Sequence, residues 1–347
     1  MIFTELIIFI ISLAVLIKSS DYFVDSAERL ANILNISSYI IGFTLVAIGT
    51  SLPELVSSVA ASFYNSSGLI IGNIIGSNIA NIGLILGISS ILGTIVAIKK
   101  RVFYREGLTL LAISVLIFIF SLNNQISRLE GLLFVLAFSG YTFYVMKLNI
   151  FKRLYNMVPL MRDYIIDIFR KKEKKERIKE EVIKEKKPVK AIVKELLIII
   201  LSGIFLRLSV SFLIPSAKNI ALSLKIPEII IGITLLAIGT SLPELIVAVS
   251  SIKKGLNDLL VGTIIGSNIS NILLVGGASA LIHPITIDNI TKYFYIPFSI
   301  VLTIILLSFI KARWELRKHE GILILSLYIL FIISLIFIEL FSSGVRA

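Results

Sequence analysis

Two glutamates, Glu54 and Glu244, stand inside otherwise apolar stretches, and each belongs to the same seven-residue word. Gly49-Thr50-Ser51-Leu52-Pro53-Glu54-Leu55 recurs letter for letter as Gly239-Thr240-Ser241-Leu242-Pro243-Glu244-Leu245, an offset of 190 residues (240 − 50). The same offset carries Gly76-Ser77-Asn78-Ile79-Ala80-Asn81 onto Gly266-Ser267-Asn268-Ile269-Ser270-Asn271 without a gap. A carboxylate within an apolar span is costly, and by default it marks a functional site. Ser followed three residues later by Glu is a capping-box signature, and Pro suits a first helical turn. Each word therefore predicts the start of a half-helix at mid-span. The half-helix before it should end with unpaired carbonyls, those of residues 47–49 in the first copy, and carbonyl dipoles at a helix C-terminus favour cations. Capping alone does not account for the acid, because Gln would cap as well without burying a charge.

Brought together, Glu54 and Glu244 would face each other, surrounded by the hydroxyls of Thr50, Ser51, Thr240 and Ser241. Ser77, Asn81, Ser267 and Asn271 would join from the adjacent spans. Ser77 and Asn81 lie four apart and share one helix face. Such a site is all oxygen, which suits hard cations such as Ca²⁺ and Na⁺ and not soft metals. Two carboxylates neutralise one Ca²⁺ or two Na⁺, or each takes up a proton. Competition for one pair of acids is a physical basis for exchange. No Lys, Arg or His lies near either Glu within its own span. The chain has no cysteine, so thiol nucleophiles, disulfides and Cys–metal sites are excluded. No H-E-x-x-H run supports an intramembrane hydrolase.

The elements that must position these residues are membrane helices. Only 16% of residues are charged, against about 25% in soluble chains, and 56% are hydrophobic, so an aqueous fold is excluded. Runs of about 20 apolar residues are membrane-helix candidates. Ten are legible, at 3–32, 38–63, 68–97, 104–122, 128–148, 193–222, 228–252, 258–282, 294–311 and 320–341. The expected fold is an all-α integral membrane protein with ten transmembrane helices in two five-helix repeats. Five is odd, so the second repeat enters the membrane inverted. Spans two, three, seven and eight hold Gly, Ser, Thr, Asn and Pro at mid-depth and are expected to break there, where protein or a wet cavity can satisfy the backbone. The first and sixth spans exceed a bilayer's thickness and should tilt or bend, with Pro215 as a cause in the sixth. Gly72 with Gly76, and Gly262 with Gly266, form G-x-x-x-G pairs suited to close helix packing.

Loop charges set orientation. Lys99-Lys100-Arg101, Lys253-Lys254 and the cluster Lys311, Arg313, Arg317 and Lys318 follow odd-numbered spans, while the loops after even-numbered spans carry little charge. By the positive-inside rule both termini lie outside and the basic loops face the cytoplasm. The net charge of +12 thus reflects topology and not a nucleic-acid surface. The expected organisation is a first repeat over 1–148, a charged cytoplasmic linker over 149–193 and a second repeat over 194–347. Residues 170–190 hold eleven Lys or Arg and five Glu, the pattern of a solvated helix with i,i+4 pairs. The apolar N-terminus lacks a basic leader and reads as part of the first helix. Asp21 and Asp25 read as a solvated face near the cytoplasmic surface, and Trp314 as a cytoplasmic or interfacial residue. Arg207, inside the sixth span, has no partner legible in the sequence.

At its two G-T-S-L-P-E and two G-S-N-I stretches the chain resembles the sodium/calcium exchanger family, prokaryotic type, within the cation/calcium antiporter superfamily. The motifs cover residues 40–84 and 230–274, and the ten-span layout extends the resemblance over all but the linker. It implies Ca²⁺ exchanged against Na⁺ by alternating access at a central cluster of cation sites. Carried over by position, Glu54 and Glu244 would be the main calcium ligands. Thr50, Thr240, Ser51, Ser77, Ser241 and Ser267, with the carbonyls of Ala47 and Ala237, would chiefly serve sodium, and Asn81 and Asn271 would line the remaining position. Many such exchangers carry Asp where this chain has Asn271, which removes a potential charge or proton carrier from the centre. Ca²⁺/H⁺ antiport, with the two Glu as proton carriers, is the alternative. The resemblance implies no enzyme activity and no cofactor. The expected partners are the lipid bilayer and the transported ions, with no nucleic acid and no obligatory protein partner.

Overall fold

The computed structural model describes residues 2–34, 36–93, 95–145, 179–223 and 241–344. Helix α1 (Ile2–Leu34) is followed by α2 (Ser38–Thr50), α3 (Leu52–Phe63), α4 (Ser67–Gly93), α5 (Phe103–Ser121) and α6 (residues 128–145). Then come α7 (Lys179–Ser223), α8 (Leu242–Lys253), α9 (Asn257–Ile282), α10 (Thr291–Arg313) and α11 (Lys318–Gly344). Among the described residues seven helices are long and apolar enough to cross a membrane, and the bent pair α2–α3 makes eight. Parts of the fifth and seventh expected spans, residues 146–148 and 228–240, lie outside the described residues. A multi-pass membrane protein follows from these lengths.

The two long helices are α1, with 33 residues, and α7, with 45. At 1.5 Å per residue they reach about 50 and 68 Å, longer than the hydrocarbon layer. Helix α7 continues through Pro188 and Pro215 without leaving the helical state, so the bend expected at Pro215 is not a break. Neighbouring groups re-satisfy the backbone around a membrane proline. The helix also begins at Lys179, inside the stretch expected as linker. The rest of that stretch, to residue 178, lies outside the described residues.

The expected break in the second span is present. Ser51, at φ −85° and ψ 3°, separates α2 from α3, and the two meet at a 42° bend. Ser241, at φ −93° and ψ 6°, opens α8 in the same way. Spans three and eight depart from expectation. Helices α4 and α9 run uninterrupted, widening into π-helical turns at Asn81–Leu86 and Asn271–Gly276. Neither contains proline. A π turn absorbs one extra residue while keeping the backbone bonded, so Asn and Gly alone do not sever the helix.

Helices α4 and α9 form the centre, with 72% and 94% of their spanning windows buried, against 22% for α1 and α11. Helix α9 meets α2 backbone to backbone. A Cβ added at Gly262 would lie 2.5 Å from the Tyr39 carbonyl oxygen, and one at Gly42 would lie 2.6 Å from that of Leu259. Gly266 is equally close to Phe43. The second G-x-x-x-G pair thus packs as expected. Gly72 and Gly76 meet no described atom; the residues that the 190 shift sets opposite them, 229 and 233, lie outside the description.

Several contacts between the halves exchange under that shift. Strand β1 (Ile95–Ala97) pairs antiparallel with β4 (Glu315–Arg317), and β2 (Gln125–Ile126) with β3 (Ile285–Thr286). The two pairs join equivalent strands, since 95 becomes 285 and 315 becomes 125, with the pairing register offset by one residue. At the ends of the α1–α7 pair, Arg29 Nε donates to Glu195 Oε2 at 2.9 Å and Asn219 Nδ2 donates to Glu5 Oε1 at 2.9 Å. These contacts exchange in the same way (29 + 190 = 219; 195 − 190 = 5).

Gly262→Ala is expected to cost about 1–3 kcal/mol, the usual penalty of overpacking, because backbone cannot yield as a side chain does. The melting temperature of detergent-solubilised protein should fall. Gly68→Ala, where a Cβ meets open space, should not lower it.

Candidate cation site

The bend at Ser51 brings Glu54 into the protein interior. Glu54 is 2% exposed and Glu244 1%. Ser51, Ser77, Asn81, Ser241, Ser267 and Asn271 are buried with them. In each of these residues one oxygen has no hydrogen-bond partner among the described residues: Oε2 of both Glu, Oγ of the four Ser and Oδ1 of the two Asn. These eight oxygens fall into four pairs related by the 190 shift: 51 with 241, 54 with 244, 77 with 267 and 81 with 271. Buried polar atoms are almost always bonded, and an unpaired one costs about 1–3 kcal/mol. Eight in matched positions point to a ligand that takes oxygen donors. Among the described residues no group of three His, Cys, Asp or Glu could hold a metal by itself. Two carboxylates backed by neutral oxygens suit a hard cation in transit better than a resident soft metal.

The capping box expected at Ser51 does not form. Ser51 is the N-cap of α3, yet its side chain makes no cap bond. Ser51 N–H, the donor that the Glu54 carboxylate of a capping box would need, is already given to the Ala47 carbonyl, so that carboxylate is left for other partners. Ser241 likewise makes no side-chain cap bond. The carbonyl of Ala47, expected to be unpaired, is not: it accepts from Ser51 N–H at 3.0 Å and from the Thr50 hydroxyl at 3.3 Å. Thr50 is buried as well, its hydroxyl given to the Ala47 carbonyl. Thr240 and Ala237 lie outside the described residues.

The asparagines clamp the two repeats together. Asn81 Nδ2 donates to Asn268 Oδ1 at 2.8 Å, and Asn271 Nδ2 donates to Asn78 Oδ1 at 3.1 Å. Each bond maps onto the other under the shift. Asn78 Nδ2 adds a bond to the Asn268 carbonyl at 3.2 Å. Asn78 and Asn268 therefore hold neighbouring helices. The amides of Asn81 and Asn271 are anchored through nitrogen, which leaves Oδ1 free; the choice of O and N follows from this network.

Three features escape a reading of the sequence. Asn73 Nδ2 donates to the Glu54 carbonyl at 3.1 Å and to Ser58 Oγ at 2.8 Å, fixing α3 against α4. An Asn in an apolar helix was the available signal. Asp21 and Asp25 are not merely solvated, because Lys254 from the end of α8 pairs with Asp25 at 2.6 Å. Arg207 stands on α7 at the exposed surface. Its helix passes the site through Phe23, which lies 3.7 Å from a Cβ position at Gly49 and 3.5 Å from one at Gly203, a turn before Arg207.

Asn268→Ala removes the acceptor that fixes Asn81. It should lower stability by about 1–3 kcal/mol, read as a fall in melting temperature in detergent, and Asn78→Ala should match it by symmetry.

A family model for sodium/calcium exchanger proteins matches residues 4–147 and again 194–337, two stretches displaced by 190 at both ends. The sodium/calcium exchanger MaX1 of Methanosarcina acetivorans is 35% identical over 97% of this chain and 100% of its own length. The inner membrane protein YrbG of Escherichia coli is 29% identical over 80% of each chain. A solved structure of the sodium-calcium exchanger NCX_Mj superposes with a TM-score of 0.76 at 30% identity, covering 96% of this chain and all of that one.

Proposed function

The chain belongs to the sodium/calcium exchanger family and is a membrane antiporter of the cation/calcium class; on that premise we propose that it exchanges Ca²⁺ for Na⁺ by alternating access at Glu54 and Glu244. The observation that carries the reading is the set of eight buried, unpartnered oxygens. Four come from each half, and all are among the residues expected from the sequence. Two carboxylates balance one Ca²⁺ or two Na⁺, so a pair of acids with a ring of neutral oxygens can hold either load but not both at once. Ser77 and Ser267 belong to the sodium positions, with Thr50, Ser51, Thr240, Ser241 and the carbonyls of Ala47 and Ala237. Asn81 and Asn271 line the position between them.

Ten helices in two inverted halves are part of this proposal. Support comes from the strand pairs, the ends of α1 and α7, and the asparagine bonds, all of which exchange under one sequence shift. Inverted repeats place substrate sites near the midplane between the halves, and the two access states arise by one half moving against the other. The orientation proposed from loop charges puts both termini outside and the segment around 149–193 in the cytoplasm.

The test is ⁴⁵Ca²⁺ uptake into Na⁺-loaded proteoliposomes, beside vesicles with an imposed pH gradient and no Na⁺. Uptake should require internal Na⁺ and fall to background in Glu54→Gln and in Glu244→Gln. Uptake driven by the pH gradient alone would replace Na⁺ with H⁺ as the driving ion. Undiminished uptake in either Gln variant would sink the site assignment.

A further inference from the structure

An inverted repeat makes the two faces of a transporter equivalent unless side chains distinguish them. Here they do. Lys254, the C-cap of α8, donates its ammonium to Asp25 Oδ1 at 2.6 Å and to the Asp21 carbonyl at 2.9 Å. The Asp21 carboxylate lies 3.7 Å from the same ammonium and accepts from Ser250 Oγ at 2.7 Å. Both aspartates belong to α1. Both of their partners sit at the end of the helix that begins beside Glu244. That helix has 12 residues, and at 1.5 Å per residue the cluster lies about 15 Å along it from Glu244. At the same end, Arg29 of α1 pairs with Glu195 of α7, whose side chain is only 6% exposed. The two long helices are thereby tied to each other, and α1 is tied to α8.

The 190 shift locates the equivalent contact at the opposite face. Asp21 becomes Ser211, Asp25 becomes Pro215, Ser250 becomes Ala60 and Lys254 becomes Tyr64. None of these carries a charge. Ser211 spends its hydroxyl on the Leu208 carbonyl, and Tyr64 is exposed. The Arg29–Glu195 ion pair likewise becomes a neutral Asn219 donating to Glu5. Among the described residues, one face carries ion pairs between these helices, and the matching places at the other carry only the Asn219–Glu5 hydrogen bond.

We propose that Asp21, Asp25, Ser250 and Lys254 form a latch that closes the face where α1 meets the end of α8, and that it biases the resting protein toward access from the opposite face. The proposal rests on alternating access at Glu54 and Glu244. With loop charges setting orientation, the latched face is the one bearing the basic loops. The apparent dissociation constant at each face equals the intrinsic one divided by the fraction of protein open to that face. Weakening the latch must therefore move the two faces in opposite directions. Simple loss of a positive charge from one entrance would raise cation affinity at that entrance and leave the other unchanged.

The experiment uses full-length protein in proteoliposomes of defined orientation, with the apparent Ca²⁺ affinity measured separately from each side for wild type, Lys254→Gln and the swapped pair Asp25→Lys with Lys254→Asp. Melting temperature reports folding, and Glu54→Gln is run alongside. Lys254→Gln should tighten apparent affinity on the latched side roughly fivefold, weaken it on the other side, and be reversed toward wild type in the swap. Tightening on the latched side alone, or no change in either affinity in folded protein, overturns the latch while leaving the site reading intact. Transport by Glu54→Gln would instead remove the site reading beneath it.

Discussion

The structure is organised around a cost: two carboxylates held in an apolar medium without a bonded cation from the protein. Glu54 and Glu244 are almost wholly buried, and one oxygen of each has no hydrogen-bond partner among the described residues. Removing an isolated ionised carboxylate from water is among the largest penalties a fold can incur. The six neutral oxygens of Ser51, Ser77, Asn81, Ser241, Ser267 and Asn271 do not relieve that penalty by bonding to it, since they too are unpartnered among the described residues. Such a cluster persists only if the scaffold is rigid enough to keep it open and if a cation completes it in use. In the proposed reading both conditions are the function itself.

Rigidity comes from close approach of backbones and from polar clamps, and both devices cross the boundary between the halves. Glycine at positions 42, 262 and 266 lets α2 and α9 touch main chain to main chain. The asparagines stitch α4 to α9 through bonds that exchange under the repeat. Neither half can build the centre alone, because each supplies the partner that the other's amide requires. The peripheral pair α1 and α7 is different. It packs on one side of this centre in a separate apolar cluster, and it is held at its ends by contacts of unequal charge. A firm centre beside an unequally fastened pair of long helices is a physical arrangement in which one part can shift while the site keeps its donors.

Much of this was legible in the order of residues. Six of the eight unpartnered oxygens belong to Ser and Glu that the repeated words single out, and the other two to asparagines five residues after the glycine of the second word. Burial of a polar residue in a long apolar run follows from hydropathy alone. The shape of the helices was less legible. Glycine and asparagine at mid-depth were expected to break α4 and α9, but they form π turns. Whether a backbone breaks or widens depends on which neighbours can hold its carbonyls, and those neighbours are distant in sequence. Proline was decisive at Ser51 and inconsequential at Pro215 for the same reason.

The sequence by itself determined a multi-pass membrane protein of two related halves, each with one acid inside an apolar span, because composition and repetition are properties of the chain, and its repeated words carried the resemblance to cation/calcium antiporters. Only the tertiary structure decided how polar groups are paired. Lys254 meets Asp25 across 229 positions, and Asn81 meets Asn268 across 187. Ser51 makes no side-chain cap bond, and its N–H goes to the Ala47 carbonyl. A hydrogen bond is a relation between two positions in space, and the hydropathy of each position taken alone does not specify its partner.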